Sequence, residues 1–297
     1  MPNRSYHTAE REGSVIPEGP ELRRSADVLQ RFVGRRVVRA FRRGGRYAMK
    51  EPVGYYEWCM NPCMHDTRIH AIDVKGKLMW WRLGPESDPP AQRWHMFCTY
   101  GMTGGWTTQA LADVQHPAFV VSFDPQDSET LTFDDQRHFG TIKFVQGDAA
   151  LTRKLATLGP DMLTDPPDAL AFTERLLHRP TRTLAESLMD QSTVSGVGNY
   201  VKAESLWHAR LSPHRTVLSL AGSEMITLHG AIVHVMRTSY KLGGATIESY
   251  RDPDGNTGHA THRFACYGRR TDADGSRVIS EETLDGRTTW WSPTRQS

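Results

Sequence analysis

Met189-Asp190-Gln191-Ser192-Thr193-Val194-Ser195-Gly196-Val197-Gly198-Asn199-Tyr200 lies between two segments whose apolar residues recur at helical spacing, Leu184 to Met189 and Asn199 to Arg210. It reads as a glycine-bearing turn joining two helices. The glycines let backbone amides approach a ligand closely, and Asn199 opens the second helix, where free N–H groups favour a phosphate. Taken alone, the same turn serves equally as a tight helix connection. A third helix follows from Met225 to Met236, with its stripe at Met225, Leu228, Ile232 and Val235.

Upstream, Leu158-Gly159-Pro160-Asp161 and then Asp165-Pro166-Pro167-Asp168 form the strongest turn-rich break in the chain. A domain boundary is expected there, with 17–158 as one domain, 159–179 as a linker and 180–262 as a helical domain. In the first domain, Leu22, Ala26, Leu29 and Val33 predict a helix that begins after Pro20 and stops near Gly34. From Arg36 to about Phe144, short runs of Val, Ile, Phe, Tyr and Trp alternate with Gly, Pro and Asp, as in a sandwich. Ala118–Phe123 and Thr130–Phe133 are the clearest strands. Residues 263–297 return to a strand pattern around Asp272-Ala273-Asp274-Gly275, a hairpin signal. No internal repeat is visible. The fold class is therefore α+β in two domains: an N-terminal β-sandwich flanked by helices, and a C-terminal helical domain ending in a β-hairpin.

Composition excludes some classes of function and selects none. The 297 residues carry 36 basic and 34 acidic side chains, a net charge of +2, so the chain is neither a polycation nor an acidic tail protein. With 38% hydrophobic residues it is too apolar to be mostly disordered and long enough for two cores. No run of about 18 apolar residues exists and the N-terminus is polar, so a soluble, cytosolic protein is expected, nucleoid-associated if bacterial. Cys59, Cys63, Cys98 and Cys266 read as reduced thiols. Between Glu21 and Lys50, nine arginines and one lysine stand against two acids. A solvated helix face followed by a basic hairpin is the plain account, although arginine is the side chain best suited to phosphate.

Pro17-Glu18-Gly19-Pro20-Glu21 puts two carboxylates three residues apart at a helix start, where they complement the helix dipole. In Arg137-His138-Phe139, period-2 alternation would point Arg137 and Phe139 to one face. The opening motif, the helix-two-turns-helix stretch and a terminal hairpin ending Gly286-Arg287-Thr288-Thr289-Trp290-Trp291-Ser292-Pro293 occur together. With them the chain resembles, from Pro17 to its C-terminus, the formamidopyrimidine-DNA glycosylase and endonuclease VIII family of base-excision repair enzymes.

The resemblance implies roles at matching positions. Pro17 corresponds to the N-terminal proline whose secondary amine attacks C1′ of a damaged nucleoside and forms an iminium. Glu18 matches the acid that protonates the sugar and assists ring opening, and Glu21 a supporting carboxylate near the amine. Lys77 matches the hairpin lysine that contacts phosphate and assists elimination, with neighbouring Lys75 as the alternative. Met102, Arg137 and Phe139 match the triad that fills the void left by an everted nucleotide. Without the family, Met102 reads as an ordinary core residue. Asn199 matches the phosphate-binding asparagine, and Arg287 the fingertip arginine that contacts phosphate at the lesion. The implied partner is double-stranded DNA containing a damaged base or an abasic site, bound by a monomer without cofactor or membrane, with affinity falling steeply as salt rises.

Three departures stand out. Many relatives close the hairpin with a four-cysteine zinc site whose second half reads Trp-Cys-Pro-x-Cys. Here that stretch is Trp291-Ser292-Pro293-Thr294-Arg295, and Cys266 is the one cysteine of the region, so no metal is expected even with His259 and His262 recruited. The chain thus resembles the zincless-finger branch of animal and giant-virus endonuclease VIII-like proteins. Cys59, Cys63, His65 and His70 offer another donor set at unusual spacing, for which plain thiols are the simpler account. Second, Thr99 stands where many bacterial relatives have a histidine. Gly243–Ile247 through Asp254-Gly255 resembles the lesion-capping region of the formamidopyrimidine branch, whereas the finger points to the pyrimidine-preferring branch, so both substrate classes are expected.

The third departure is that Pro17 follows sixteen residues, so its nitrogen is a tertiary amide and not a nucleophile. Residues 1–16 are expected to be absent from the active protein. Translation from codon 16, an isoleucine codon read as methionine, would free the amine, and Glu12-Gly13 permits a purine-rich GAGG run upstream. Processing of a longer precursor is the other route. Pro2 is no substitute, because no carboxylate follows it. The expected function is a bifunctional DNA glycosylase and AP lyase acting by β,δ-elimination on oxidised bases. The alternatives are a non-catalytic binder of damaged or abasic DNA with Pro17 blocked, and a helical and sandwich protein unrelated to DNA.

Overall fold

The computed structural model describes residues 16–61, 66–245 and 250–297. Helix α1 (Gly19–Leu29) starts with Pro20 in its first turn, where a missing N–H costs nothing, and buries Leu22, Ala26 and Leu29. Its start is tied by the Glu18 N–H, which donates to the Glu21 carboxylate at 2.9 Å.

Behind α1 lie two four-stranded antiparallel sheets. One has the order β1 (Arg39–Arg42), β6 (Pro117–Ser122), β7 (Thr130–Asp134), β5 (Gly105–Thr107). The other has the order β2 (Arg68–Lys75), β3 (Leu78–Gly84), β4 (Trp94–Thr99), β8 (Thr141–Gln146). Their inner faces meet through aromatic pairs, with Trp81 of β3 and Trp106 of β5 4.7 Å apart and Phe119 of β6 and Phe144 of β8 6.0 Å apart. Such large side chains supply most of the buried area of a sandwich this thin. A short helix, α2 (Tyr55–Cys59), closes one end by stacking Trp58 on Phe144.

After α3 (Asp148–Ala156), a second core gathers around α4 (Ala169–Leu177), α5 (Leu184–Met189), α6 (Asn199–Ala209) and α7 (Gly222–Lys241). Residues 159–179, expected as a linker, instead belong to this core: Met162, Phe172 and Leu176 are buried in it. The Pro166-Pro167-Asp168 run is a helix start, since the Asp168 carboxylate accepts the Ala171 N–H and caps α4. The terminal hairpin, β9 (Ile279–Glu282) and β10 (Thr288–Trp291), is likewise no separate body, because Val278 and Trp290 pack into the helical core with Phe264 and Tyr267. Its turn is at Thr283–Gly286, whereas Asp272–Gly275 forms a smaller turn with one bridge, Thr271 to Arg277.

The arginines between Glu21 and Lys50 are largely neutralised within the fold. Arg23 pairs with Asp27, Arg31 with Asp254, Arg35 with Glu129 and Arg39 with Asp127. These are exposed or half-exposed pairs of small net worth. No helix among the described residues is long and apolar enough to cross a membrane.

Candidate active site

The two cores meet where the first residues of α1 touch the turn between α5 and α6. The Gly19 N–H donates to the Gly196 carbonyl at 3.0 Å, and the Gly76 N–H, in the β2–β3 turn, donates to the Asp161 carboxylate at 2.8 Å. Between these contacts opens a cavity of about 470 Å³ lined by Pro17, Glu18, Lys77, Met102, Phe139, Asn199 and Arg287, together with Thr99 and Met189. Seven of the nine residues singled out in the sequence thus share one cavity, although they come from six separate segments of the chain.

Glu18 is almost fully buried, and its carboxylate accepts the N–H groups of Gly198 at 2.8 Å, Tyr200 at 2.9 Å and Val201 at 3.3 Å. The free amides at the start of α6, expected to favour a phosphate, are occupied by this side chain instead. An anion at a helix N-terminus is the physical rule in both cases. Burial pushes the Glu18 acid up to about 7 despite the nearby Lys77 cation and the amides, both of which favour the carboxylate. A carboxyl that titrates near neutrality is suited to give up a proton at working pH.

Gly198 shows how tightly the groups converge. A Cβ there would stand 2.4 Å from the Lys77 Nζ and 2.4 Å from a Glu18 carboxylate oxygen. Burial lowers the Lys77 ammonium, the Glu18 charge raises it and the Arg287 charge lowers it again. Lys75, the alternative to Lys77, points elsewhere, toward the Leu155 carbonyl at 3.4 Å.

Glu21 does not line the cavity. It lies fully buried beneath it, accepting from the Tyr200 hydroxyl at 3.1 Å and from the Ala245 N–H at 2.7 Å, so it ties α1 to α6 and to the segment after α7. Burial raises its acid as well.

Met102 and Phe139 sit on adjoining loops, close enough that a Cβ on Gly101, whose φ is +61°, would come within 2.6 Å of the Phe139 carbonyl carbon. Phe139 is 53% exposed at the cavity mouth, unusual for an aromatic side chain in a sandwich of buried rings. Arg137 does not line the cavity, but its guanidinium lies 5.6 Å from the Phe139 ring centroid. The period-2 argument for this pair does not apply, because residues 135–138 form a turn with His138 at φ 60°. The Arg137 N–H to Thr103 Oγ1 bond, at 2.9 Å, joins this turn to the Met102 loop.

Asn199 donates its amide to the Thr288 carbonyl at 2.9 Å, and its Oδ1 is buried without a hydrogen-bond partner. Thr99 shares a 2.7 Å hydroxyl contact with Thr141. Pro17 also borders a smaller cavity of about 100 Å³ lined by Trp106, Gln109, Asp134, Tyr250, Arg251 and Asp252.

The hairpin region is held by polar contacts. Burial raises the acid of Glu204, whose carboxylate accepts three successive N–H groups from Ala265, Cys266 and Tyr267 at 2.7–2.8 Å. Asp272 accepts the Trp207 indole N–H at 3.0 Å, and Arg295 lies 3.7 Å over the Trp207 ring while pairing with Asp274. No group of three or more metal-donor side chains converges among the described residues. Cys63 and His65 lie outside the described residues. Cys59 is half-buried, and His70 contacts the Gly84 carbonyl at 2.6 Å.

Sequence reasoning missed Tyr200, Lys202 and Asp285. Tyr200 stood inside the quoted turn motif, and its hydroxyl was a signal for a buried partner. The Lys202–Asp285 pair spans 83 residues and left no local signal.

Residues 16–142 match the model of the formamidopyrimidine-DNA glycosylase N-terminal domain, and residues 158–251 match that of the formamidopyrimidine-DNA glycosylase H2TH domain. The chain is 32% identical over 289 residues to the formamidopyrimidine-DNA glycosylase of Thermus thermophilus, covering 95% of this chain and 98% of the relative. It is 29% identical to that of Rhodospirillum rubrum, covering 95% and 100%. Among solved structures, Lactococcus lactis Fpg with abasic-site-containing DNA superimposes with a TM-score of 0.79 at 24% identity, covering 94% of this chain and 99% of the other. A mutant of that protein with Fapy-dG-containing DNA gives 0.80 at 24% identity, covering 95% and 100%. The chain belongs to the formamidopyrimidine-DNA glycosylase family, the DNA glycosylases with AP lyase activity that act in base-excision repair.

Proposed function

We propose that the chain removes oxidised pyrimidines and formamidopyrimidines from double-stranded DNA and then cleaves the strand by β,δ-elimination. The observation that carries this reading is the convergence of Pro17, Glu18 and Lys77 with Met102, Phe139, Asn199 and Arg287 around one cavity.

The chemistry begins with a free Pro17 amine, which requires the Ile16–Pro17 peptide bond to be absent from the active protein. The nitrogen forms a bond to C1′ as the glycosidic bond breaks and the base departs. Glu18, held by the first amides of α6, gives its proton to the sugar ring oxygen, and the ring opens to an iminium. Loss of a proton from C2′ expels the 3′ phosphate, and a second deprotonation at C4′ expels the 5′ phosphate. Lys77, beside Glu18 and with its ammonium weakened by burial, suits the phosphate contact and the proton transfers of elimination. Met102 and Phe139, on touching loops at the cavity mouth, suit the space vacated by an everted nucleotide, with Arg137 stacked behind Phe139. Arg287 and Asn199 suit the phosphates, and the hairpin serves as a zincless finger. The smaller cavity beside Pro17, bordered by Tyr250, Arg251 and Asp252, suits the displaced base.

A second reading, a non-catalytic binder of damaged DNA, is favoured by the acylated Pro17 nitrogen of the full sequence. One experiment separates the two. Protein expressed from the gene with its own upstream sequence is incubated with duplexes carrying an oxidised pyrimidine, a formamidopyrimidine or an abasic site. Strand cleavage leaving phosphate on both ends supports the enzyme; binding without cleavage, by protein whose mass retains residues 1–16, supports the binder.

A further inference from the structure

The finger turn that carries Arg287 is fastened to α6 by an ion pair removed from water. The Lys202 side chain is 0% exposed and that of Asp285 3% exposed, and the ammonium lies 2.6 Å from the carboxylate. The other Asp285 oxygen accepts the Thr283 hydroxyl, and the Thr283 N–H and the Gly286 N–H close the turn on the Arg287 and Thr283 carbonyls at 3.1 and 2.8 Å. On the far side of Arg287, Asn199 holds the Thr288 carbonyl. Asn199 and Lys202 are three residues apart on one helix and so share a face. Arg287 is thereby bracketed by two anchors from a single rigid element.

Apolar packing does not do this work at the tip, since Leu284 is 75% exposed. A two-stranded hairpin with four-residue strands is marginal without support. A buried ion pair adds little net stability against its desolvation, but it strongly disfavours any arrangement that separates the charges. We propose that Lys202 and Asp285 are positioning residues for Arg287, holding the finger turn in the one register that presents the guanidinium to the cavity. The inference rests on the proposed role of Arg287 as a phosphate contact.

The test uses the full chain in its active form, with Lys202→Met, Asp285→Asn, Asp285→Glu, Arg287→Ala and each of the first two combined with Arg287→Ala. Affinity for a duplex with a stable abasic-site analogue, its salt dependence and melting temperature are measured together. Lys202→Met and Asp285→Asn should each weaken binding about tenfold, the scale of one charge-assisted contact. Each should also flatten the salt dependence as Arg287→Ala does, and add nothing further in the Arg287→Ala background. Asp285→Glu should recover part of the loss. Additive losses, or unchanged affinity in the folded single variants, would overturn the proposal. Should Lys202→Met fail to fold, the near-isosteric Asp285→Asn carries the test, and loss of fold in both assigns the pair to stability alone. If Arg287→Ala costs no affinity while the pair variants do, the role of Arg287 itself is what fails.

Discussion

Glu18 accepts the backbone N–H of Gly198 at 2.8 Å, so the acid that precedes α1 is held by the amides that open α6. The two cores are joined at the edge of the cavity itself. A shift of α6 relative to the sandwich moves Glu18, and any change at the turn before α6 is felt by Glu18 and Lys77 together.

Gly198→Ala is expected to separate chemistry from folding. The glycine has φ −130°, which any residue adopts, so the added methyl acts through space alone. At 2.4 Å from the Lys77 Nζ and a Glu18 oxygen it must displace both. Displacements near 1 Å cost on the order of 10²-fold in rate. Single-turnover cleavage of abasic-site DNA should fall by about that factor, with far-ultraviolet circular dichroism unchanged.

Glu18→Gln should remove base excision and change how the stability of the fold depends on pH. The Glu18 acid is raised from the ordinary 4.5 to about 7 in the folded chain, so the fold disfavours its charged form. The resulting penalty is absent below about 4.5, grows between the two values and is complete above about 7. The melting temperature of the variant relative to wild type should therefore rise from pH 5 to pH 8. In the wild type, steps that need a protonated Glu18 should slow as pH rises through about 7. A melting difference that is flat with pH would contradict the burial account.

Phosphate contacts should be visible in salt titrations. Arg287→Ala and Lys77→Ala each remove one cation from the cavity lining. The slope of log affinity against log salt should become shallower by about 1 for each. Arg39→Ala, whose arginine pairs with Asp127 away from the cavity, should leave the slope unchanged.

Chelation should leave the finger intact. Glu204, Asp272 and Arg295 hold the segments before and after the hairpin by hydrogen bonds and stacking. Prolonged treatment with a strong chelator should change neither melting temperature nor strand cleavage, whereas Glu204→Ala, which leaves three buried N–H groups unpaired, should lower the melting temperature markedly.

Much of this was legible in short-range pattern. The α5–turn–α6 segment announced itself by apolar spacing on both sides of its glycines, and the sandwich by aromatic-rich runs between turn residues. Pro166-Pro167 misled because the same residues mark linkers and helix starts; only the Asp168 cap on Ala171 decides between them. Arg137 and Phe139 came together through a left-handed His138 and a stacked guanidinium, which strand alternation does not describe. Arg31, just after α1, found Asp254, and Lys202 found Asp285, because such pairings are set by tertiary contact and not by local sequence. Of the cavity, the residue types were legible, but the occupation of α6's amides by Glu18 was not.

The most direct measurement is borohydride trapping on abasic-site DNA, with protein expressed from the gene with its own upstream sequence and the adduct mapped by mass spectrometry. The reagent reduces an iminium to a stable amine. An adduct on an N-terminal Pro17, lacking residues 1–16, is the expected result. Intact DNA binding without an adduct, or an adduct on a lysine with Pro17 still joined to Ile16, would contradict the account.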